Sequence, residues 1–395
     1  MALTGVTVLL VIALLAVTAP FACLWAWSRV PGGRWRGGSL RFGLVAVCQV
    51  TTVALVGVVV NDAGGFYSSW SDLLGTSPSA PLTQATAHFG AGAETETAFV
   101  SAASPTADVQ PASIPAAAAS WKTSTWSKRA DWPTKGAVVN TTFKGPTTGL
   151  SEPAMVYLPP AYFHTGQAAR SIPVVEVFTG FPGVEHNLVS RLRYPDQVLS
   201  GVQKGTAGPM VLVMLQPAPS FPWDTECTNV PHGPQTMNYF TNDVPALVTS
   251  MFELQPTGWG TMGDSTGGYC AAKVQAMDPA RFTAAVSLSG YTEPATDYTT
   301  RGIFSGNQNL RDQNDLLWRL QHLPPPPVSL LVATARDEHG TDGYTTALKW
   351  LHAVKAPMEA DELALPHGGH NFRSWNREIP FALTWISAHL PQPKA

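Results

Sequence analysis

Met262-Gly263-Asp264-Ser265-Thr266-Gly267-Gly268 sets one serine between glycines, after a strand-like run and before a helix-like one. This G-x-S-x-G spacing suits a tight strand-to-helix turn, where a side chain at either glycine would meet neighbouring backbone. Such a turn lifts the hydroxyl clear of the sheet, which makes Ser265 a candidate nucleophile. The pattern is short, so its meaning depends on its surroundings.

Outward from that turn, short β-type runs alternate with helix-like stretches. Expected strands are Ala137 to Phe143, Ala154 to Leu158, Val174 to Thr179, Met210 to Gln216, Gly258 to Gly263, Ala284 to Ser289, Ser329 to Ala335 and Glu359 to Leu365. Runs such as Met210-Val211-Leu212-Val213-Met214-Leu215 are apolar at successive positions, as in strands covered on both faces. The fold class is therefore α/β, with a mostly parallel sheet flanked by helices.

Upstream the composition changes twice. Residues 1–62 hold two apolar stretches, about Leu3 to Trp27 and Phe42 to Val60, each suited to crossing ~30 Å of hydrocarbon. Between them Arg29, Arg34, Arg36 and Arg41 occur with no acid. The positive-inside rule puts that loop in the cytoplasm and the rest of the chain on the other side. A cleaved signal peptide is the rival for the first stretch, but it has no basic leader and no clear cleavage site. Residues 63–135, rich in Ala, Ser, Thr and Pro between 76 and 120, read as a flexible tether. Residues 136–395 form the expected catalytic domain.

Charged residues are 13% of the chain and the net charge is −3, with Arg and Lys scattered, which gives no electrostatic footprint for nucleic acid. There is no C-x-x-C or H-E-x-x-H spacing, so neither a metal site nor a cofactor is expected. Cys227 and Cys270 are the cysteines outside the apolar stretches. An oxidising compartment would permit a bridge between them, and a buried free thiol on the helix after Ser265 is equally ordinary.

A serine hydroxyl becomes a useful nucleophile when an imidazole removes its proton and a carboxylate fixes that imidazole's tautomer. Downstream of Ser265, one strand ends in Arg336-Asp337-Glu338-His339 and the last in Leu365-Pro366-His367-Gly368-Gly369-His370. Asp337 follows its strand most directly and is the expected acid, with Glu338 as the alternative. His370 is preferred to His367 because the glycine pair can deliver the following side chain to the sheet's edge. The oxyanion would be held by the amide of Thr266 and by Phe181 N–H in the turn Thr179-Gly180-Phe181-Pro182-Gly183. Trp223, Asp224 and Tyr291 are expected to rim the pocket. Asp264 reads as a turn or capping carboxylate.

Several segments resemble the esterase D and secreted mycolyltransferase superfamily of α/β-hydrolases across most of residues 137 to 390. They are Gln235-Thr236-Met237-Asn238-Tyr239-Phe240-Thr241-Asn242-Asp243-Val244-Pro245, the serine turn itself, Asp278-Pro279-Ala280-Arg281-Phe282 and Gly368-Gly369-His370-Asn371-Phe372-Arg373-Ser374-Trp375. The resemblance implies Ser265 as nucleophile, His370 as base, and an acid at Asp337 or Glu338. It also implies an ester or a lipid or glycolipid as substrate. The third-strand turn departs from the mycolyltransferase pattern: Thr179 stands where that pattern has an aspartate, and no arginine follows. The expected activity is that of a membrane-anchored serine esterase or acyltransferase. The alternative is a catalytically silent envelope-binding protein of the same fold.

Overall fold

The computed structural model describes residues 6–30, 34–64, 66–67, 69–76, 85–90, 132–163, 171–340 and 343–392. Its centre is a nine-stranded sheet of β1 (Ala87–Gly90), β2 (Ala137–Lys144), β3 (Ser151–Leu158), β4 (Val174–Phe178), β5 (Val211–Leu215), β6 (Trp259–Asp264), β7 (Phe282–Leu288), β8 (Ser329–Ala335) and β9 (Glu359–Leu365). The order across the sheet is β1-β9-β8-β7-β6-β4-β5-β3-β2. From β9 to β5 neighbours run parallel, and β1, β2 and β3 attach antiparallel at the edges. All eight strands read from the sequence are present.

Alternation along each strand feeds two cores. In β4, Val174 and Phe178 join the cluster around Trp259, Tyr269 and Trp350, whereas Val175 and Val177 join the one around Met262, Trp375 and Trp385. Helix Thr266–Met277 covers the first side and helix Phe372–Ala388 the second. Because both faces are covered, β4 and β5 are buried at every position; β5 is continuously apolar, and β4 is apolar apart from the buried Glu176.

Helices Val6–Trp27 and Arg34–Gly64 pack against each other, with the Cys23 and Cys48 sulfurs 3.0 Å apart. Each is long and apolar enough to cross a membrane, with mean hydropathy of 2.5 over Thr7–Trp27 and 2.3 over Trp35–Asn61. The second begins at Arg34 rather than near Phe42, so much of the expected basic loop is helical. Arg29 and Arg41 lie over the Trp25 and Trp27 rings, where their stems cover apolar surface.

Part of the stretch expected as a free tether is folded onto the domain. A short helix, Trp70–Leu74, is capped by Ser69, whose hydroxyl accepts from Asp72 N–H. β1 pairs with β9 from Ala87↔Glu362 to Gly90↔Glu359, and the adjacent Thr86 N–H and hydroxyl both donate to Glu362 O. Residues 77–84 and 91–131 of that stretch lie outside the described residues.

Candidate active site

Parallel strands deliver their following loops to one edge of a sheet, the usual location of a site in this architecture. Ser265 follows β6, Gly180 and Phe181 follow β4, Asp337 and Glu338 follow β8, and His370 follows β9. In sheet order these loops follow four of the five successive strands β9-β8-β7-β6-β4, about 4.8 Å per strand, with β7 between β8 and β6.

Ser265 has φ 57° and ψ −126°, a conformation L residues rarely adopt. Its N–H donates to Leu288 O at 2.9 Å, which prolongs the pairing of β6 with β7 to the serine. Its carbonyl accepts from the amides of Gly268 (2.8 Å) and Tyr269 (3.1 Å) and so starts the next helix. The flanking glycines are required by contact. A Cβ on Gly267 would lie 2.3 Å from Phe178 O, and one on Gly263 would lie 2.3 Å from Gly267 O. The amide of Thr266 is the first of that helix and is free of the intrahelical ladder.

The carboxylate beside the histidine is Glu338. Its Oε1 lies 2.9 Å from His370 Nδ1, while Oε2 accepts from the hydroxyls of Ser289 (2.9 Å) and Thr334 (3.2 Å). Ser289 also accepts from Trp375 Nε1 at 3.1 Å, and the Trp375 ring meets the His370 ring edge-on at 5.1 Å. Glu338 and His370 are both buried. Burial, followed by the Glu338 charge, holds the neighbouring Glu378 carboxyl well above the usual range.

The expectation that Asp337 would reach His370 does not hold. Asp337 turns the other way, accepting from Gly368 N–H at 2.8 Å and meeting the exposed His367 ring at 3.2 Å. Both residues follow β8, but the turn after the strand aims Glu338 inward. Its N–H donates to Ala335 O and its carbonyl accepts from Tyr344 N–H, so the backbone fixes the choice. Asp337 instead braces the glycine loop that carries His370.

Asp264 is also more than a cap. It is fully buried beside Ser265, with Oδ2 accepting from Gly180 N–H at 2.9 Å. Burial pushes its carboxyl up to about 7, against the lowering influence of that N–H and of the His370 charge. Gly180 N–H is thereby committed, and Phe181 N–H is the next along the turn. A Cβ on Gly180 would lie 2.9 Å from the Ser265 Cβ, so the turn after β4 and Ser265 touch.

Of the expected rim residues, Trp223 is half-buried, with Nε1 donating to Thr300 O at 3.0 Å; Phe221, two residues before it, stands exposed beside Phe181. Asp224 and Tyr291 are not at a rim; both are buried beneath it. The disulfide Cys227–Cys270 ties the loop of Asp224 to the helix after Ser265. It draws in Glu226, which the sequence reading passed over; the charged residue next to a bridging cysteine was the available signal. The Tyr291 hydroxyl lies 2.7 Å and 2.9 Å from the Glu226 carboxyl oxygens and 3.0 Å from Thr266 Oγ1. Lys273 Nζ donates to Glu226 O and Thr228 Oγ1. Burial raises the Glu226 carboxyl well above its ordinary range and lowers Lys273 well below. Among the described residues no group of three or more His, Cys, Asp or Glu is placed to hold a metal ion.

A model of the esterase family, described as "Putative esterase", matches residues 145–386. No curated protein matches the chain. Among solved structures, a ferulic acid esterase superposes with TM-score 0.55 at 15% identity, covering 64% of this chain and 98% of that one. S-formylglutathione hydrolase from Agrobacterium tumefaciens gives 0.54 at 16%, over 65% and 96%. The fluorophosphonate-binding serine hydrolase F of Staphylococcus aureus gives 0.52 at 17%, over 64% and 98%. At these identities the likeness bears on the fold.

Proposed function

The chain belongs to the esterase family and is an ester hydrolase, and on that premise we propose that it is a membrane-tethered, extracytoplasmic serine esterase or acyltransferase working through Ser265, His370 and Glu338. The observation that carries this reading is the 2.9 Å contact of His370 Nδ1 with buried Glu338 at the same sheet edge as Ser265. With Nδ1–H donated to Glu338, the imidazole keeps Nε2 as the acceptor for the serine proton.

Ser265 Oγ attacks the ester carbonyl carbon as its proton passes to His370 Nε2. The amides of Thr266 and Phe181 receive the oxyanion. Collapse breaks the bond to the leaving oxygen, which takes the proton from His370 and departs as an alcohol. Water, deprotonated by the same imidazole, then releases the acyl group as an acid; an alcohol in its place yields a new ester. The two apolar helices support tethering, and an ester of an envelope lipid or glycolipid is the substrate class that fits it.

The test is Ser265→Ala. Turnover of p-nitrophenyl butyrate should fall by on the order of 10⁴-fold or more, and a fluorophosphonate probe should label the parent at Ser265 and leave the variant unlabelled. Parental turnover in the variant would end the assignment. Absence of both turnover and labelling in the parent would favour a silent fold.

A further inference from the structure

Helix Trp70–Leu74 is built inside out. A helix on a water-facing surface turns its apolar side inward and its polar side outward. Here Asp72 is the buried member, at 2% exposure, while Trp70, Leu73 and Leu74 are exposed at 44%, 42% and 71%. Phe66 before it and Phe372, the residue after Asn371, are exposed as well, at 42% and 36%.

The polar side is fastened to the loop that carries His370. Asn371, the next residue, donates from Nδ2 to Phe66 O and to Asp72 Oδ2, while its Oδ1 caps helix Phe372–Ala388 by accepting from the amides of Arg373 and Ser374. Arg373 Nη1 donates to Asp72 O at 3.3 Å. The approach is close enough that a Cβ on Gly369 would lie 2.7 Å from Phe66 O. One side chain thus joins the start of the last helix, the histidine loop and the segment following the second apolar helix.

Chain length limits where this patch can be. The apolar helix ends at Gly64. Trp70 is six residues further on, within about 20 Å of that end even if fully extended. An aromatic and leucine patch this close to a membrane span sits at the depth where interfacial tryptophans reside, and exposed in water it would be a liability.

We propose that Phe66 and the helix Trp70–Leu74, with Phe372, form an interfacial collar that lies in the headgroup region of the bilayer and seats the mouth of the catalytic site against it, so that the enzyme takes esters whose acyl chains are held in lipid. This rests on the membrane-tethered esterase reading above. It adds the surface that meets the membrane and the physical state of the substrate.

The test uses the full chain in phosphatidylcholine nanodiscs, comparing the parent with Trp70→Ser/Leu73→Ser/Leu74→Ser on two substrates. Water-soluble p-nitrophenyl acetate should be hydrolysed within threefold of the parental kcat/KM. Bilayer-dissolved p-nitrophenyl palmitate should lose at least tenfold, through a higher apparent KM. Doxyl-labelled lipid should quench parental tryptophan fluorescence more than that of Trp70→Phe. Unchanged rates on both substrates would overturn the collar, as would a parallel loss on both, which would mean that the patch only supports the fold. A parental dimer that the triple variant turns into a monomer, with unchanged palmitate turnover, would assign the patch to a second copy and also overturn it. If the triple variant does not fold, Leu74→Ser alone carries the same comparison. Failure of the parent to hydrolyse either ester would count against the esterase reading, a result distinct from all of these.

Discussion

Replacing Glu338 by Gln separates the two acids that follow β8. The carboxylate divides its oxygens between His370 Nδ1 on one side and the Ser289 and Thr334 hydroxyls on the other. In the amide, the carbonyl oxygen is drawn to the two hydroxyl donors, so the NH₂ faces Nδ1. The imidazole must then accept at Nδ1 and carry its proton on Nε2, the tautomer that cannot take a proton from Ser265. Enforcing the wrong tautomer in a comparable triad lowers kcat by about 10⁴, or ~5.5 kcal/mol of barrier. Asp337→Asn keeps an oxygen for Gly368 N–H and forfeits only the pairing with exposed His367. A surface pair of that kind contributes ~1 kcal/mol or less, so turnover should stay within about fivefold. Both variants should be assayed for p-nitrophenyl butyrate hydrolysis from pH 6 to 9, with thermal midpoints to show that each is folded. Loss of 10⁴ in Asp337→Asn, with Glu338→Gln near the parent, would refute the reasoning and restore the aspartate.

Three further outcomes follow from contacts around the same turn. Gly267→Ala places a Cβ 2.3 Å from Phe178 O, against backbone that cannot yield, so the yield of folded protein should collapse while the milder Ser265→Ala is recovered normally; a folded, active Gly267→Ala would contradict the packing. Asp264 has its pKa raised to about 7, so the native state holds a proton that the unfolded chain gives up near pH 4; its stabilising contribution is complete below pH 4 and is lost as pH rises to 7. Asp264→Asn should therefore lose less stability than the parent between pH 5 and 8, by an upper bound of roughly 3 kcal/mol in urea unfolding, and equal losses in the two proteins would remove the effect. Tyr291→Phe leaves the buried Glu226 carboxyl without its hydroxyl partner and should cost ~1–3 kcal/mol, read as a lower thermal midpoint. Because Tyr291 also touches Thr266, kcat should fall with KM unchanged, and parental values of both would detach the pair from catalysis.

How much of this was legible in the sequence depended on how local each signal was. The central strands were readable because a sheet covered on both faces demands runs of apolar residues, and β5 satisfies that demand at every position while β4 departs from it only at Glu176. Ser265 and His370 were readable because glycine pairs mark the turns that deliver them. The carboxylate that meets His370 was not, since Asp337 and Glu338 are adjacent and which one points inward is decided by hydrogen bonds to Ala335 O and Tyr344 N–H after the strand. Composition gave no sign of β1, four residues whose pairing with β9 is set by a distant partner rather than by their own pattern.

Asp72 shows the same limit in a form that bears on function. In a stretch rich in small and polar residues, Trp70-Ser71-Asp72-Leu73-Leu74 offers one acid among apolar neighbours, and solubility alone would turn that acid outward. It turns inward because Asn371, about three hundred positions later, needs an acceptor once its own oxygen is committed to capping the last helix. Satisfying that amide sets the polarity of the short helix and leaves Trp70, Leu73 and Leu74 facing away from the domain. Changing Asp72 to Leu would therefore do more than remove a hydrogen bond, because the helix would no longer have a reason to keep its apolar side out. The residue after His370 thus fixes which side of the short helix faces away from the domain.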